Sequence, residues 1–123
     1  MKRNDGKVRF VVRNMPLPFH QYAVPAAIAA ESAKDQGEFW PVHDALIKEP
    51  LLDPAHLDHI VANARLNLKR YSQSSSRAKV TIAEDSTDFR RLGLTSTPSF
   101  LLLCPNGDVF LLGSVFQMDS LIK

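Results

Sequence analysis

Residues 93–100, Gly-Leu-Thr-Ser-Thr-Pro-Ser-Phe, lead directly into an apolar run, and this junction carries the strongest structural signal in the chain. The apolar run covers residues 99–104, as expected of a buried strand. It ends at Pro-Asn-Gly-Asp, residues 105–108, where the Asn-Gly pair is typical of a tight turn between antiparallel strands. A second apolar run, Val109–Leu112, follows the turn. We therefore expect a buried antiparallel hairpin near the end of the chain.

Upstream of this junction, the residue spacing predicts mostly helix from Tyr22 to Leu92. The Asp53-Pro54 pair is a typical helix start, because aspartate caps free backbone N–H groups and proline fits the first helical position. The segments predicted, in chain order, are a helix at Tyr22–Gln36, a helix at Glu38–Lys48, a helix after Asp53, a short segment at Leu68–Tyr71, a serine-rich link at Ser72–Ser76 and a last long helix closed by Gly93.

A strand is predicted before the helices, because Val8–Arg13 alternates between two faces with Val8, Phe10 and Val12 on one of them. Pro16 ends this run. The predicted order of elements is therefore strand, helical block, hairpin and a short helix in the stretch that ends at Ile122.

Composition limits the classes of function that this chain can have. It has 123 residues, of which 45% are hydrophobic, so we expect a single packed domain over residues 1–123. The formal charge of +2 is too small to indicate nucleic acid or an anionic membrane as a partner. Neither a membrane-spanning run nor a secretory leader is visible. A cytoplasmic location is expected as written, and an extracytoplasmic one if the true start lies upstream of Met1.

The single cysteine, Cys104, excludes an intrachain disulfide and any metal site built on a pair of cysteines. A thiol at the end of an apolar strand is expected to pack as a small hydrophobic group. A redox role, through a mixed disulfide with glutathione or a second chain, is the alternative.

The histidines offer a weak metal motif. His56 and His59 are three residues apart on a predicted helix, but a zinc site usually needs three or four ligands, so solvated side chains are expected. His43 is expected to be hydrogen-bonded and partly buried, and to point away from Asp44, because adjacent helical residues face different directions. Neither a metal nor a cofactor is therefore expected.

Most of the chain resembles the DsbA-like thiol-disulfide oxidoreductases. The residues that carry the resemblance are Val8–His20, Ala26–Ala33, Gln36–Trp40 with His43 and Asp44, Leu92–Leu94, and Thr97–Phe100. It implies an α/β fold with a thioredoxin-like sheet, a helical insertion at about residues 22–92 and a C-terminal hairpin at about residues 99–113. It also implies that Pro98 is cis and that Ser96 and Thr97 pair with an extended substrate.

The chain departs from that family at its start. In the family, a strand and a helix with a Cys-x-x-Cys motif precede the strand that Val8–Arg13 matches, so the resemblance implies an N-terminally truncated and redox-inactive member. Two sheet edges would then be unpaired, and exposed apolar edges recruit other chains. We expect a homodimer through these edges or a fragment of a larger protein. The alternative functions are a peptide-binding or self-assembly module that uses the edge beside Thr97-Pro98, and a metal-dependent enzyme that uses the histidines.

Overall fold

The computed structural model describes residues 6–114 together with Gln117 and Leu121. These residues divide into two compact units. One unit contains the chain up to Val12 and from Arg90 onward, and the other is Arg13–Phe89. The short C-terminal helix predicted near Ile122 falls mostly outside the described residues.

The second unit is helical. Its helices are α1 (Ala23–Ala33), α2 (Phe39–Lys48), α3 (Pro54–Asn63) and all but the last two residues of α4 (Leu68–Arg91), and a 3₁₀ turn (Lys34–Gln36) follows α1. These bounds confirm the first three predicted helices. Gly37 ends the 3₁₀ turn in the left-handed region, with φ of 76°, where a residue without a Cβ is favoured.

The core of the helical unit lies where α1, α2 and α3 meet. Ala29, Ala33 and Val42 have no exposed surface, and Ile60 and Val61 complete the centre of the cluster. The alanines of α1 have small side chains, which let α2 pack closely against this face. Ala29, Ala30 and Ala33 therefore mark the face of α1 that packs into the core.

α3 begins as the sequence predicts. Asp53 is extended and its carboxylate accepts a hydrogen bond from the backbone N–H of His56 at 2.9 Å, while Pro54 occupies the first helical position. The ring Nδ1 of His56 lies 2.8 Å from the same carboxylate oxygen. The Asp53 carboxylate thus holds the first turn of α3 through the backbone N–H and the ring of His56.

This cap makes the stability of α3 depend on pH. The hydrogen bond to Asp53 raises the pKa of His56, so its contribution is complete below about pH 6.5 and is lost as pH rises through the folded pKa. The backbone N–H of His56 lowers the pKa of Asp53, so that contribution is lost in acid. We expect His56→Gln to remove the alkaline loss of stability and to keep the acidic loss, as measured by urea unfolding between about pH 2 and about pH 8. An unchanged alkaline loss in His56→Gln would contradict this assignment.

α4 is one continuous helix, so the predicted serine-rich link at Ser72–Ser76 is wrong. The helix is capped by Asn67, whose side-chain oxygen accepts from the backbone N–H of Arg70 at 3.0 Å. Ser74 donates to the carboxylate of Asp35 at 2.9 Å. This cap and the contact with the 3₁₀ turn stabilise helical backbone where serine propensity alone is weak.

A buried polar cluster ties the start of the helical unit to α1 and α4. Asp85 is only 5% exposed. Its carboxylate accepts from Arg13 Nε at 2.5 Å, from the backbone N–H of Asn14 at 2.7 Å and from the side-chain amide of Asn14 at 3.0 Å. That amide also donates to Glu31 of α1 at 3.2 Å. Attraction to Asp85 raises the pKa of Arg13, so the guanidinium stays charged.

The other unit contains a two-stranded antiparallel sheet formed by β1 (Phe100–Leu103) and β2 (Val109–Leu112). The hairpin predicted from the Asn-Gly pair is confirmed. The strand predicted at Val8–Arg13 is wrong, because those residues have no regular secondary structure. Among the described residues, β1 and β2 pair only with each other, and an alternating pattern forms a strand only when a neighbouring strand takes its hydrogen bonds.

No helix within the described ranges is long and apolar enough to cross a lipid bilayer.

Candidate functional site

The segment before β1 is exposed. Ser96, Thr97 and Pro98 are all solvent-accessible, and the hydroxyl of Ser99 donates to the backbone carbonyl of Ser96. The peptide bond between Thr97 and Pro98 is cis, the isomer that the resemblance implies. The three residues predicted to bind substrate therefore form one exposed bend that runs directly into β1.

The turn of the hairpin determines which backbone groups of β1 point toward β2 and which point to its outer edge. Gly107, at φ of 92°, donates its N–H to the backbone carbonyl of Cys104 at 2.9 Å. The N–H of Cys104 donates to the backbone carbonyl of Asp108 at 2.8 Å. Cys104 thus directs its backbone groups toward β2. Since this direction alternates along an antiparallel strand, Leu101 and Leu103 direct theirs to the outer edge. That edge lies immediately after the bend at residues 96–98.

One face of the hairpin is apolar and exposed. The register pairs Leu101 with Leu111 and Leu103 with Val109, so these four side chains lie on the same face. Leu103, Val109 and Leu111 are 70%, 58% and 65% exposed. The prediction of a buried hairpin is therefore wrong for this face. On the opposite face, Leu112 is 8% exposed.

Cys104 lies at the end of β1 and is partly buried. Both of its backbone groups take part in the turn. Cys104 is thus held on the hairpin, at the far end of β1 from the exposed bend at residues 96–98.

The two histidines of α3 contact different residues. His56 contacts Asp53, whereas His59 lies 3.1 Å from the side-chain amide of Asn63. No group of three or more metal-binding side chains occurs in the part of the chain that the structure describes.

His43 is partly buried and hydrogen-bonded, as predicted. Its ring stacks on Phe39 with centroids 5.6 Å apart. However, its Nδ1 lies 3.0 Å from Asp44, so the expectation that these neighbours point apart is wrong. The pair lies on the outer surface of α2, with Asp44 exposed. The contact with Asp44 orients the His43 ring. Among the described contacts, neither residue is paired with a nucleophilic side chain.

Comparison with known proteins identifies the family. A family model described as thioredoxin matches residues 1–114. The chain belongs to the thioredoxin family. A mixed α/β fold with helices and a small antiparallel sheet agrees with this membership.

Relatives of this thioredoxin-family chain include much longer proteins. The Na(+)/H(+) antiporter NhaA 1 of Salinispora arenicola is 38% identical over 99 residues, which are 77% of this chain and 15% of the antiporter. The Na(+)/H(+) antiporter NhaA 3 of Salinispora tropica is 36% identical over 99 residues, which are again 77% of this chain and 15% of the antiporter. The chain thus spans about 15% of the length of these relatives. No solved structure gave a significant match.

Proposed function

We propose that this chain is a DsbA-like member of the thioredoxin family that binds extended polypeptide and does not itself exchange disulfides. The observation that carries the proposal is the outer edge of β1, where the backbone groups of Leu101 and Leu103 are directed away from β2. Ser96, Thr97 and Pro98 precede this edge and are exposed. An extended segment can add to such an edge as a further strand.

The sequence of the edge favours strand addition. β1 has no charged residue, and natural proteins commonly protect an edge from pairing with lysine or other charges. Pro98 and Pro105 flank the strand and limit the accessible edge to residues 99–104. Main-chain hydrogen bonds would supply affinity, and the exposed apolar face would supply side-chain contacts.

Disulfide exchange within one chain needs a second thiol. An attacking thiolate forms a mixed disulfide, and a resolving cysteine then breaks it. This chain has only Cys104, so a mixed disulfide formed there could not be resolved internally. We infer that binding, without catalysis, is the activity of this polypeptide on its own.

Leu103→Pro tests the peptide site. Leu103 directs its N–H away from β2, so proline there removes an edge donor without removing a hydrogen bond of the hairpin. We expect about tenfold weaker binding of fluorescein-labelled, S-carboxymethylated insulin B chain, which corresponds to loss of one main-chain hydrogen bond. Fluorescence anisotropy measures the affinity.

Two matched variants make this result specific. Leu103→Val keeps the N–H and the apolar character, and should bind like the parent chain. Val109→Pro makes the equivalent change on the outer edge of β2 and should also leave binding unchanged. Equal loss in both proline variants would sink the assignment to β1. Insulin reduction by the parent chain would contradict the inference that it lacks disulfide exchange activity.

A second candidate is self-assembly, and the exposed side chains of Leu103, Val109 and Leu111 favour it. Apolar edges of this kind join chains, and a two-stranded hairpin is only marginally stable alone. A homodimer formed through these edges would be dissociated by Leu103→Pro or Val109→Pro in light scattering. A monomeric parent chain that binds the labelled peptide would leave only the first candidate.

The antiporter relatives supply a setting for this proposal. A polypeptide of their length could carry a thioredoxin-family region beside an ion transporter, and the bound segment would then belong to the same or an associated protein. The substrate of a complete DsbA-like protein would be an extended polypeptide, with no cofactor required.

A further inference from the structure

Positive charge is concentrated in one part of the helical unit. No acidic residue occurs between Asp58 and Glu84, whereas this stretch has five basic residues. They are Arg65, Lys69, Arg70, Arg77 and Lys79. The formal charge of the whole chain is only +2, so the total conceals a local excess. A local excess, rather than the total, determines attraction to a charged surface.

Four of these residues lie on the exposed outer face of the first half of α4, and Arg65 precedes the helix. At 100° per residue, the side chains between Leu68 and Val80 that lie on one side of the helix are all exposed. They include the basic residues Lys69, Arg70, Arg77 and Lys79, with Leu68 and Val80 at the two ends. The opposite side carries Ala78, Ile82 and Asp85, which are buried. The face is thus solvent-facing over about 18 Å of helix.

Neighbouring acidic groups neutralise little of this charge. Arg77 forms an ion pair with Asp35 at 3.1 Å, and Arg70 donates to the backbone carbonyl of Asp35. Asp35 therefore contacts both guanidinium groups, but its carboxylate forms an ion pair with Arg77 alone. Lys69 and Lys79 have no ion pair with any described residue, and both side chains are exposed.

We propose that this face of α4 binds the surface of an anionic phospholipid bilayer. Clusters of four to eight basic residues on an amphipathic helix are attracted to anionic headgroups. Leu68 and Val80 lie at the two ends of the face and are 61% and 58% exposed. Apolar side chains beside lysines favour the interfacial region of a bilayer over a purely polar ligand.

The composition of the face disfavours single-stranded nucleic acid. Proteins that bind single strands usually supply aromatic side chains on which bases stack. The aromatic residue in this half of α4 is Tyr71, which is partly buried on the inner side of the helix. The hydroxyls of Ser72 and Ser76 are hydrogen-bond donors that suit phosphate oxygens of lipid headgroups. The inference is independent of the peptide site, since none of these residues belongs to β1.

Flotation with lipid vesicles tests the inference. The purified chain should float with phosphatidylcholine vesicles that contain roughly one third phosphatidylglycerol, but not with phosphatidylcholine alone, and added salt should weaken binding. We expect Lys69→Gln/Lys79→Gln to bind about thirtyfold more weakly, since each lysine near the surface contributes to attraction. Circular dichroism establishes that the variant remains helical.

A matched double variant separates local from total charge. Lys7→Gln/Lys48→Gln removes two exposed lysines outside this face and should bind like the parent chain. Equal weakening in both double variants would show that only total charge matters and would overturn the assignment. Equal binding to neutral vesicles would also overturn it, as would tighter binding of single-stranded RNA than of anionic vesicles at the same salt concentration.

Discussion

Asp85→Ala is expected to destabilise the helical unit by about 3 kcal/mol, because it removes the common acceptor of three hydrogen bonds. Two of those bonds come from Asn14, whose backbone N–H would lose its charged partner. Arg13 is 57% exposed at its side chain, so water and Asp88 can still solvate it. The cost therefore falls below the upper end of the range for a fully buried ion pair.

Urea unfolding of the purified chain measures this cost, and Asp88→Ala is the matched control. Asp88 accepts from Arg13 at 2.7 Å, but its side chain is 49% exposed, so its removal should cost less than about 1 kcal/mol. Asp85→Asn separates charge from hydrogen bonding and should lie between the parent and Asp85→Ala. A smaller loss in Asp85→Ala than in Asp88→Ala would disprove the central position of Asp85 in the cluster.

Local sequence signals predicted the elements whose cause is local. The Asn106-Gly107 turn and the Asp53 cap each act through the conformation of a few neighbouring residues, and both occur as predicted. The outward direction of Leu101 and Leu103 could also have been derived from the turn, because its type sets the register. The sequence interpretation identified the bend at Thr97-Pro98 and the edge beside it, but did not identify Leu101 and Leu103 as the residues that direct their backbone groups to that edge.

Errors arose where distant residues decide the structure. Ser72–Ser76 lacks a strong local preference, but contacts of α4 with Asp35 and with the core make it helical. Val8–Arg13 has the alternation of a strand, yet its described residues pair with no neighbouring strand. The exposed face of the hairpin also depends on distant residues. An apolar pattern shows which side chains a strand could bury, but another element must be present to cover them.

Val42→Ala is expected to lower the free energy of unfolding by about 2.5 kcal/mol. Val42 is fully buried where α2 meets α1, against the alanines of that helix. The substitution removes two methyl groups and leaves a cavity that backbone held by close alanine packing cannot easily fill. The higher helix propensity of alanine offsets only a few tenths of a kcal/mol of this loss.

Ile47→Ala provides the control for Val42→Ala, because both substitutions shorten a β-branched residue in the same helix. Ile47 is 72% exposed, so its substitution should change stability by less than about 0.5 kcal/mol. Urea unfolding of both variants, with binding of the labelled insulin B chain as a second measurement, distinguishes two origins of any loss. Loss of stability in Val42→Ala with peptide affinity unchanged below the unfolding transition would agree with a core in α1, α2 and α3 and a peptide site on β1. Similar losses of stability in Val42→Ala and Ile47→Ala would mean that α2 does not bury its Val42 face.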